Sequence, residues 1–269
     1  MLCRAKINLT LHVGAPFSSG RWIGYHPVES LVVFADIGDE IQIETGADRH
    51  ELSIEGPFAK GLSGEEDNLI LRALKACKAP PSRVELIKNL PVSAGLGGGS
   101  ANAAAIVRQF GRDCVSAVDL GADVPVCTLS RTAMMEGIGE RITSVSGLGR
   151  FPAVLVNPGQ PVSTGAIFKA YDLTDPPEVP ERTDQEGGFL SRALSGRNDL
   201  EDIAVEIEPS IGEVLDELAT LEGCRLARMS GSGATCFGLF DTMEQADKAA
   251  KALARLNWWS VSTWLGDEV

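Results

Sequence analysis

The sequence predicts two α+β domains, and three observations lead to that fold class. The chain has 269 residues, the length of one large domain or two ordinary ones. Segments of alternating apolar residues, typical of strands, are interspersed with segments of helical spacing. The composition changes near residues 151–158, after which acidic residues and proline become frequent. We therefore expect one domain over residues 1–150 and another over residues 151–269.

The net charge argues against nucleic acid as a partner. The chain has 24 Lys and Arg against 37 Asp and Glu, which gives a formal charge of −13. A surface this negative repels a phosphate backbone, although a few local donors still suffice to bind a small anion. No stretch is apolar enough to span a membrane, and Arg4 and Lys6 fall where a signal peptide needs an apolar core. We expect a cytoplasmic protein with no membrane partner, either a monomer or a homodimer.

The cysteine and histidine spacings indicate neither disulfides nor a metal centre. The six cysteines include no C-x-x-C pair, and the three histidines show no ligand spacing. In a chain of this length and composition, such cysteines are typical of free, mostly buried thiols. We expect no metal site built by the protein alone.

The first element is a strand with an unusual polar face. Apolar residues alternate over residues 5–13 with Lys6, Asn8, Thr10 and His12, which predicts a half-buried strand. A solvated surface is the commoner explanation of such a face. The alternative is a ligand-facing row that combines a lysine, an amide and a hydroxyl.

The remaining elements follow from periodicity and from turn residues. A Gly, Pro and Ser-rich loop is expected over residues 14–27, and residues 172–222 are expected to form an acidic, solvated surface. Alternation and β-branched residues predict further strands at 30–35, 40–44, 51–55, 84–88, 236–240 and 258–264. Helical spacing predicts helices at 67–77, with Asp67 as N-cap, and at 199–206, 210–221 and 243–256.

A glycine-rich loop is the most informative segment. Residues 91–100 read PVSAGLGGGS, and an Ala-rich helix is expected to begin directly after Ser100. A strand, a glycine loop and a helix N-terminus together favour phosphate binding over a merely flexible turn. The loop has no Gly-Lys-Ser/Thr, and the dinucleotide fingerprint lacks its last glycine, which disfavours a dinucleotide-dependent oxidoreductase.

Two further segments carry small or charged residues in apolar surroundings. Asp123 stands between Gly and Pro in the run LGADVP, where it is either a helix cap or a functional carboxylate. Residues 229–235 read MSGSGAT and precede a predicted strand. Such a density of small residues indicates close backbone approach to a ligand or to another loop.

Taken in order, these motifs resemble the GHMP kinase superfamily over nearly the whole chain. Three are superfamily motifs: AKINL at residues 5–9, the loop of residues 91–100, and residues 229–235. Two more, GYH at residues 24–26 and LGADVP at residues 120–125, resemble the branch that acts on a cytidine-diphosphate-linked alcohol. The resemblance implies an N-terminal ATP-binding domain like ribosomal protein S5 and a C-terminal ferredoxin-like βαβ cap.

The resemblance also implies a reaction. It is the ATP-dependent phosphorylation of the 2-hydroxyl of 4-diphosphocytidyl-2-C-methyl-D-erythritol in non-mevalonate isoprenoid biosynthesis, with Mg²⁺ accompanying ATP. The alternatives are a superfamily kinase acting on homoserine or mevalonate and a non-catalytic nucleotide-binding protein. The aromatic residues implied for a base pocket argue against the first alternative, and the presence of Lys6 and Asp123 argues against the second.

The resemblance assigns roles to particular residues. Lys6 and Asp123 form the catalytic pair, with Asp123 accepting the alcohol proton and Lys6 offsetting charge on the phosphoryl group. Many family members have two serines after the glycines, and Ser100 stands at the one that is better placed to contact phosphate or Mg²⁺. The implied ATP-binding residues are Asn68, Lys88, Pro91, Gly95, Gly97, Gly98, Gly99, Ser100 and Asn102. The implied substrate-binding residues are Asn8, Tyr25, His26, Thr164, Phe168, Gly231 and Ser232, of which Tyr25 and Phe168 stack on cytosine and His26 reads the base edge.

The chain departs from the family pattern at three places. Ala101 follows Ser100 where many members have a second serine, and Ile23 stands where an aspartate is common. Only 23 positions separate Ser100 from Asp123, so the connection over residues 109–118 is expected to be an abbreviated helix or loop.

Overall fold

A computed structural model describes residues 1–62, 64, 67–111, 117–182 and 186–268. The chain forms two compact units. Unit 1 comprises Met1–Lys6, Ile37–Val92 and Gly97–Ser130, and unit 2 comprises Ile7–Asp36, Ser93–Leu96 and Arg131–Val269. Both units are discontinuous along the chain, whereas the division at residue 150 is continuous, and that division stays a prediction.

The described residues form a mixture of strands and helices. The strands are β1 (Leu2–Asn8), β2 (His12–Val13), β3 (Val28–Thr45), β4 (Glu51–Glu55), β5 (Ser82–Ile87), β6 (Ala133–Gly137), β7 (Arg141–Ser144), β8 (Arg150–Asn157), β9 (Cys224–Met229), β10 (Cys236–Phe240) and β11 (Trp259–Gly266). The helices are α1 (Leu69–Ala76), α2 (Gly98–Phe110), α3 (Val124–Leu129), α4 (Thr164–Tyr171), α5 (Phe189–Ser195), α6 (Glu201–Ile207), α7 (Ser210–Thr220) and α8 (Met243–Ala254).

Unit 1 combines a small sheet with packed helices. The C-terminal part of β3 pairs antiparallel with β5, with Ile41 opposite Leu86, and β5 pairs parallel with β4. Alternate residues of β5 are buried, as expected for a strand with one face on the core. Helix α2 packs against α1 and α3. Its buried face is largely alanine, whose small side chain allows helices to approach closely.

Unit 2 is built on an antiparallel sheet in the order β11, β8, β10 and β9. Helices α7 and α8 pack on this sheet, and its core includes Val154, Val156, Leu218, Phe240 and Leu253. Residues Pro152–Asn157 of β8 are buried without alternation. The N-terminal part of β3 pairs with β6, which in turn pairs with β7.

The prediction of one half-buried strand over residues 5–13 is wrong. Strand β1 ends at Asn8, and β2 begins at His12. The four polar side chains are almost fully buried, with exposed fractions of 4%, 1%, 0% and 2% for Lys6, Asn8, Thr10 and His12. Burial is tolerated at the first three positions because these side chains have polar partners inside the protein.

Three predicted boundaries also change. The strands expected at 30–35 and 40–44 are one strand, β3, because the Gly and Asp expected to turn the chain remain extended. Helix α1 is capped by Asn68 rather than by Asp67, since Asn68 Oδ1 accepts the N–H of Ile70 at 3.0 Å. Helix α2 begins at Gly98, before Ser100.

The other predicted helices and strands are present with shifts of a few residues at their ends. Residues 112–116, the centre of the connection expected to be abbreviated, lie outside the described residues. Five cysteines are free thiols, at positions 3, 77, 127, 224 and 236, and Cys114 lies outside the described residues. Among the residues described, no helix is long and apolar enough to cross a membrane.

Candidate active site

A lysine–aspartate ion pair stands at the start of α3. Lys6 on β1 places its Nζ 3.0 Å from Oδ2 of Asp123. The Lys6 side chain is 5% exposed and that of Asp123 is 29% exposed, so the carboxylate is the more accessible partner. Asp123 occupies the N-cap position of α3, but its side chain makes no capping hydrogen bond. Its carboxylate is instead directed to Lys6.

The glycine-rich loop brings the N-terminus of α2 against this pair. Gly97, the N-cap residue, has a left-handed φ of +61°, which glycine adopts without steric cost. A Cβ at Gly97 would lie 3.2 Å from two carbons of the Lys6 side chain and 3.6 Å from Asp123 Oδ2. A Cβ at Gly99 would meet nothing within 4 Å. Among the described residues no side chain caps α2, and its first turn is open at Gly99, an arrangement suited to an anion.

A buried aspartate that the sequence analysis missed joins the two ends of this loop. Asp39 is fully buried, and its Oδ1 accepts the backbone N–H groups of Asn89 and Leu90 at 2.8 and 2.9 Å. Its Oδ2 accepts Lys88 Nζ at 2.7 Å and Asn102 Nδ2 at 3.1 Å. In the sequence Asp39 falls between the strands expected at 30–35 and 40–44, and its chemistry depends on contacts distant in sequence.

Lys88 is held within this network. Its Nζ also donates to the carbonyl of Leu90 at 2.9 Å, and its side chain is 5% exposed. Burial lowers the pKa of Lys88, and the carboxylate of Asp39 opposes that shift. A Cβ at Gly98 would lie 3.2 Å from Lys88 Nζ, so the ammonium group lies next to the first turn of α2.

Three more of the predicted ATP-binding residues are in different settings. Asn68 caps α1, and Pro91 is buried. Ser100 is the third residue of α2 and is partly exposed. A Cβ at Gly121 would lie 3.9 Å from Ser100 Oγ.

In unit 2, the second glycine loop packs on Asn8. The Asn8 backbone N–H donates to Ser230 Oγ at 3.1 Å, and Ser230 Oγ donates to the carbonyl of Gly95 at 3.0 Å. Asn8 Nδ2 donates to Ser30 Oγ at 2.7 Å. A Cβ at Gly231 would lie 3.4 Å from Asn8 Oδ1. The predicted residues Asn8, Gly95 and Gly231 therefore form one group.

A second residue that the sequence analysis missed fixes this loop. Asn198 Nδ2 donates to the carbonyls of Met229 and Gly231, both at 2.8 Å, and Asn198 Oδ1 accepts the N–H of Leu200 at 3.0 Å. The side chain thus satisfies two carbonyls of the loop and the start of α6. Its position just before a predicted helix was the only available signal.

Helix α4 contributes the aromatic part of the predicted site. The rings of His26 and Phe168 have centroids 4.7 Å apart at an interplanar angle of 36°. His26 Nδ1 donates to the carbonyl of Gly14 at 2.9 Å, and Nε2 lies 3.3 Å from Oδ1 of Asp172. In this arrangement the imidazole already has a partner at each nitrogen.

Two other predicted substrate residues lie close together, and Tyr25 has a ring partner of its own. The hydroxyls of Thr164, the first residue of α4, and Ser232 are 2.8 Å apart. The Tyr25 ring instead meets Trp22 edge-on, with centroids 5.9 Å apart.

Comparison with known proteins identifies the family. Residues 68–131 match the GHMP kinases N terminal domain, and residues 189–257 match the GHMP kinases C terminal model. The chain is 45% identical over 270 residues to 4-diphosphocytidyl-2-C-methyl-D-erythritol kinase of Paracoccus denitrificans, covering 97% of this chain and 94% of that protein. It is 46% identical to the enzyme of the same name from Parvibaculum lavamentivorans, with coverage of 95% and 94%.

Solved structures agree with the sequence relatives. A crystal structure of 4-(cytidine 5'-diphospho)-2C-methyl-D-erythritol kinase superposes with a TM-score of 0.78 at 32% identity, covering 99% of both chains. The mevalonate kinase of L. major in complex with R-mevalonate has a TM-score of 0.62 at 13% identity over 98% and 97% of the chains, and shows a common fold. The predicted α+β GHMP kinase fold is confirmed. The chain thus belongs to the 4-diphosphocytidyl-2-C-methyl-D-erythritol kinase family of the GHMP kinases.

Proposed function

We propose that this chain transfers the γ-phosphoryl group of MgATP to the 2-hydroxyl of 4-diphosphocytidyl-2-C-methyl-D-erythritol. Family membership supports the substrate and the reaction class. The observation that carries the proposal is the Lys6–Asp123 ion pair against an uncapped helix N-terminus. The proposed setting is cytoplasmic isoprenoid biosynthesis by the non-mevalonate route.

Asp123 is the proposed general base. Phosphoryl transfer needs little covalent help from the protein, so a positioned proton acceptor and charge stabilisation are sufficient. The partly exposed carboxylate of Asp123 is accessible to an alcohol, and Lys6 is held 3.0 Å from it. In the proposed reaction Asp123 accepts the hydroxyl proton as oxygen attacks phosphorus, and Lys6 offsets negative charge on the transferring group.

The first turn of α2 is the proposed cradle for the ATP phosphates. The first N–H groups of a helix have no partner within the helix, and its positive dipole end favours anions. The space around Gly99 leaves room for a phosphate. Because Mg²⁺ typically keeps several waters and uses substrate phosphates, few protein ligands would be needed, and the hydroxyl of Ser100 is proposed as the one that would hold it. The proposed ATP contacts are Asn68, Lys88, Pro91, Gly95, Gly97, Gly98, Gly99, Ser100 and Asn102.

The acceptor is proposed to bind through aromatic and small polar side chains. Tyr25 and Phe168 supply the ring faces for cytosine, and His26 contributes to recognition of the base. The 4.7 Å contact between His26 and Phe168 supports a common aromatic wall. Asn8, Thr164, Gly231 and Ser232 are proposed to meet the methylerythritol hydroxyls.

The test is ADP release with a panel of acceptors. MgATP is supplied with 4-diphosphocytidyl-2-C-methyl-D-erythritol, with homoserine, with mevalonate, or with cytidine 5'-diphosphate as the control that lacks the sugar alcohol. We expect ADP only with the first. Turnover with homoserine or mevalonate alone would replace the proposed acceptor, and ATP binding without turnover would favour the non-catalytic alternative.

A further inference from the structure

The loop before His26 fixes the backbone of Tyr25. Phe17 donates its N–H to the carbonyl of Tyr25 at 2.8 Å, and Gly24 donates to the carbonyl of Phe17 at 2.9 Å. Tyr25 in turn donates to the carbonyl of Trp22 at 2.9 Å, closing a turn in which Gly24 has φ of +80°. These bonds determine where the Tyr25 side chain leaves the chain, but they do not determine the direction of its ring.

The Tyr25 ring contacts the ring of Trp22. The two ring centroids are 5.9 Å apart at 72°, the edge-to-face geometry that aromatic pairs prefer. The guanidinium carbon of Arg21 lies 4.4 Å from the centroid of Trp22, within cation–π distance. The Tyr25 residue remains 53% exposed. Arg21, Trp22 and Tyr25 thus form a stack in which Tyr25 has a free surface for a further ring.

The adjacent residue provides no such support. Ile23, at the position where related kinases commonly have aspartate, is 63% exposed. A tyrosine at an exposed loop position has two free side-chain torsions, and fixing them on binding costs free energy. A contact that already orders the ring reduces that cost.

We propose that Trp22 is a positioning residue for nucleobase recognition, and that it holds the Tyr25 ring ready for the cytosine of the acceptor. The inference rests on the proposed function. Arg21 covers one face of Trp22 and limits the movement of the indole. The expected effect is on affinity for the cytidine moiety, because the ring that Trp22 contacts is the one proposed to stack on the base, whereas Lys6 and Asp123 are the groups proposed for phosphoryl transfer.

The test compares Trp22→Ala, Trp22→Phe and the matched control Trp264→Phe. Trp264 on β11 has the same kind of cation–π contact, with Arg150 at 5.2 Å. In Trp22→Ala we expect KM for 4-diphosphocytidyl-2-C-methyl-D-erythritol to rise about three- to tenfold, with kcat and the KM for ATP unchanged. Trp22→Phe retains a ring edge and is expected to restore most of the affinity, and Trp264→Phe is expected to leave KM unchanged.

Fluorescence gives a second readout that does not need turnover. Titration with cytidine 5'-diphosphate is expected to change tryptophan emission in the unaltered protein and in Trp264→Phe, and to lose most of that change in Trp22→Phe. The inference is overturned if Trp22→Ala leaves the acceptor KM unchanged, if the KM for ATP rises equally, or if the emission change persists in Trp22→Phe. Failure of the unaltered protein to phosphorylate the acceptor would instead overturn the proposed function.

Discussion

At the scale of single residues, Asp39 is expected to be important for the stability of the fold. Its carboxylate is fully buried and is the partner of the buried ammonium of Lys88. Replacement by alanine leaves that ammonium without its counter-charge, so we expect Asp39→Ala to lower the free energy of unfolding by about 3–5 kcal/mol in urea titrations. The matched control is Arg83→Ala, which removes an exposed ion pair with Glu51 and is expected to cost no more than about 1 kcal/mol. Equal costs for the two variants would contradict this role of Asp39.

Tyr25 and Phe168 are expected to contribute to affinity for the acceptor substrate. If each ring stacks on cytosine, removal of either costs on the order of 1–3 kcal/mol of binding free energy. Tyr25→Ala and Phe168→Ala are therefore expected to raise the KM for 4-diphosphocytidyl-2-C-methyl-D-erythritol in steady-state assays while the KM for ATP stays unchanged. An acceptor KM unaltered in both variants would mean that cytosine binds elsewhere.

At the scale of elements, two glycines at the start of α2 are expected to affect stability in opposite directions and ATP binding in the same direction. Gly97 has a left-handed φ and packs against Lys6, so Gly97→Ala is expected to destabilise the protein by about 1–2 kcal/mol. Gly99 is helical with open space around it, so Gly99→Ala is expected to stabilise the fold by up to about 1 kcal/mol. Both variants are expected to weaken ATP binding.

Calorimetric titration with ATP and thermal unfolding together check this prediction. The informative variant is Gly99→Ala, because a loss of ATP affinity in a more stable protein cannot arise from unfolding. If Gly99→Ala binds ATP as the unaltered protein does, the phosphate does not approach the first turn of α2.

The elements differ in how far the sequence predicts them. Helix α8 was predicted within two residues because its periodicity is strong and Thr242 and Gln245 form a local capping box. Strand β3 was divided in two because Gly38 and Asp39 usually mark a turn. The carboxylate of Asp39 is bound by Lys88, Asn89, Leu90 and Asn102, and such contacts with residues distant in sequence leave no local pattern.

At the scale of the whole molecule, the burial of one histidine is expected to make the free energy of unfolding depend on pH. His12 is 2% exposed, and among the described residues neither ring nitrogen has a hydrogen-bond partner. Burial lowers the pKa of His12 below its ordinary value of 6.5, and the nearby carboxylate of Asp199 opposes the shift. The charges of Arg197 and Arg228 lower the pKa further, and that of Glu181 raises it.

The sign of the effect follows from the lowered pKa. Above pH 6.5 the imidazole is neutral in both states, so its contribution to stability is fully retained. As the pH falls below 6.5 the unfolded chain takes up a proton before the folded one, and stability decreases. Urea unfolding between pH 7.5 and 5 is expected to show this loss, and His12→Gln to reduce it, whereas identical pH slopes for the two proteins would exclude His12 as the cause.

The fold of the whole molecule was predicted largely through its motifs. The glycine loop, the LGADVP run and residues 229–235 place the chain in its family, and with it Lys6 and Asp123 as candidates. The two compact units could not be predicted, because each is assembled from three separate stretches of chain. The burial of Asn8 and Thr10 was also missed, since alternation in sequence does not show whether the polar face of a strand is covered.

The most direct test of the account is the reaction of Asp123→Asn. The change preserves the shape of the side chain and removes the proposed proton acceptor beside Lys6. Measured with MgATP and 4-diphosphocytidyl-2-C-methyl-D-erythritol, kcat is expected to fall about 10²- to 10⁴-fold, while the affinities for ATP and for the acceptor, from calorimetry, stay close to those of the unaltered protein. A variant that turns over like the unaltered protein would remove Asp123 from the mechanism and contradict the account.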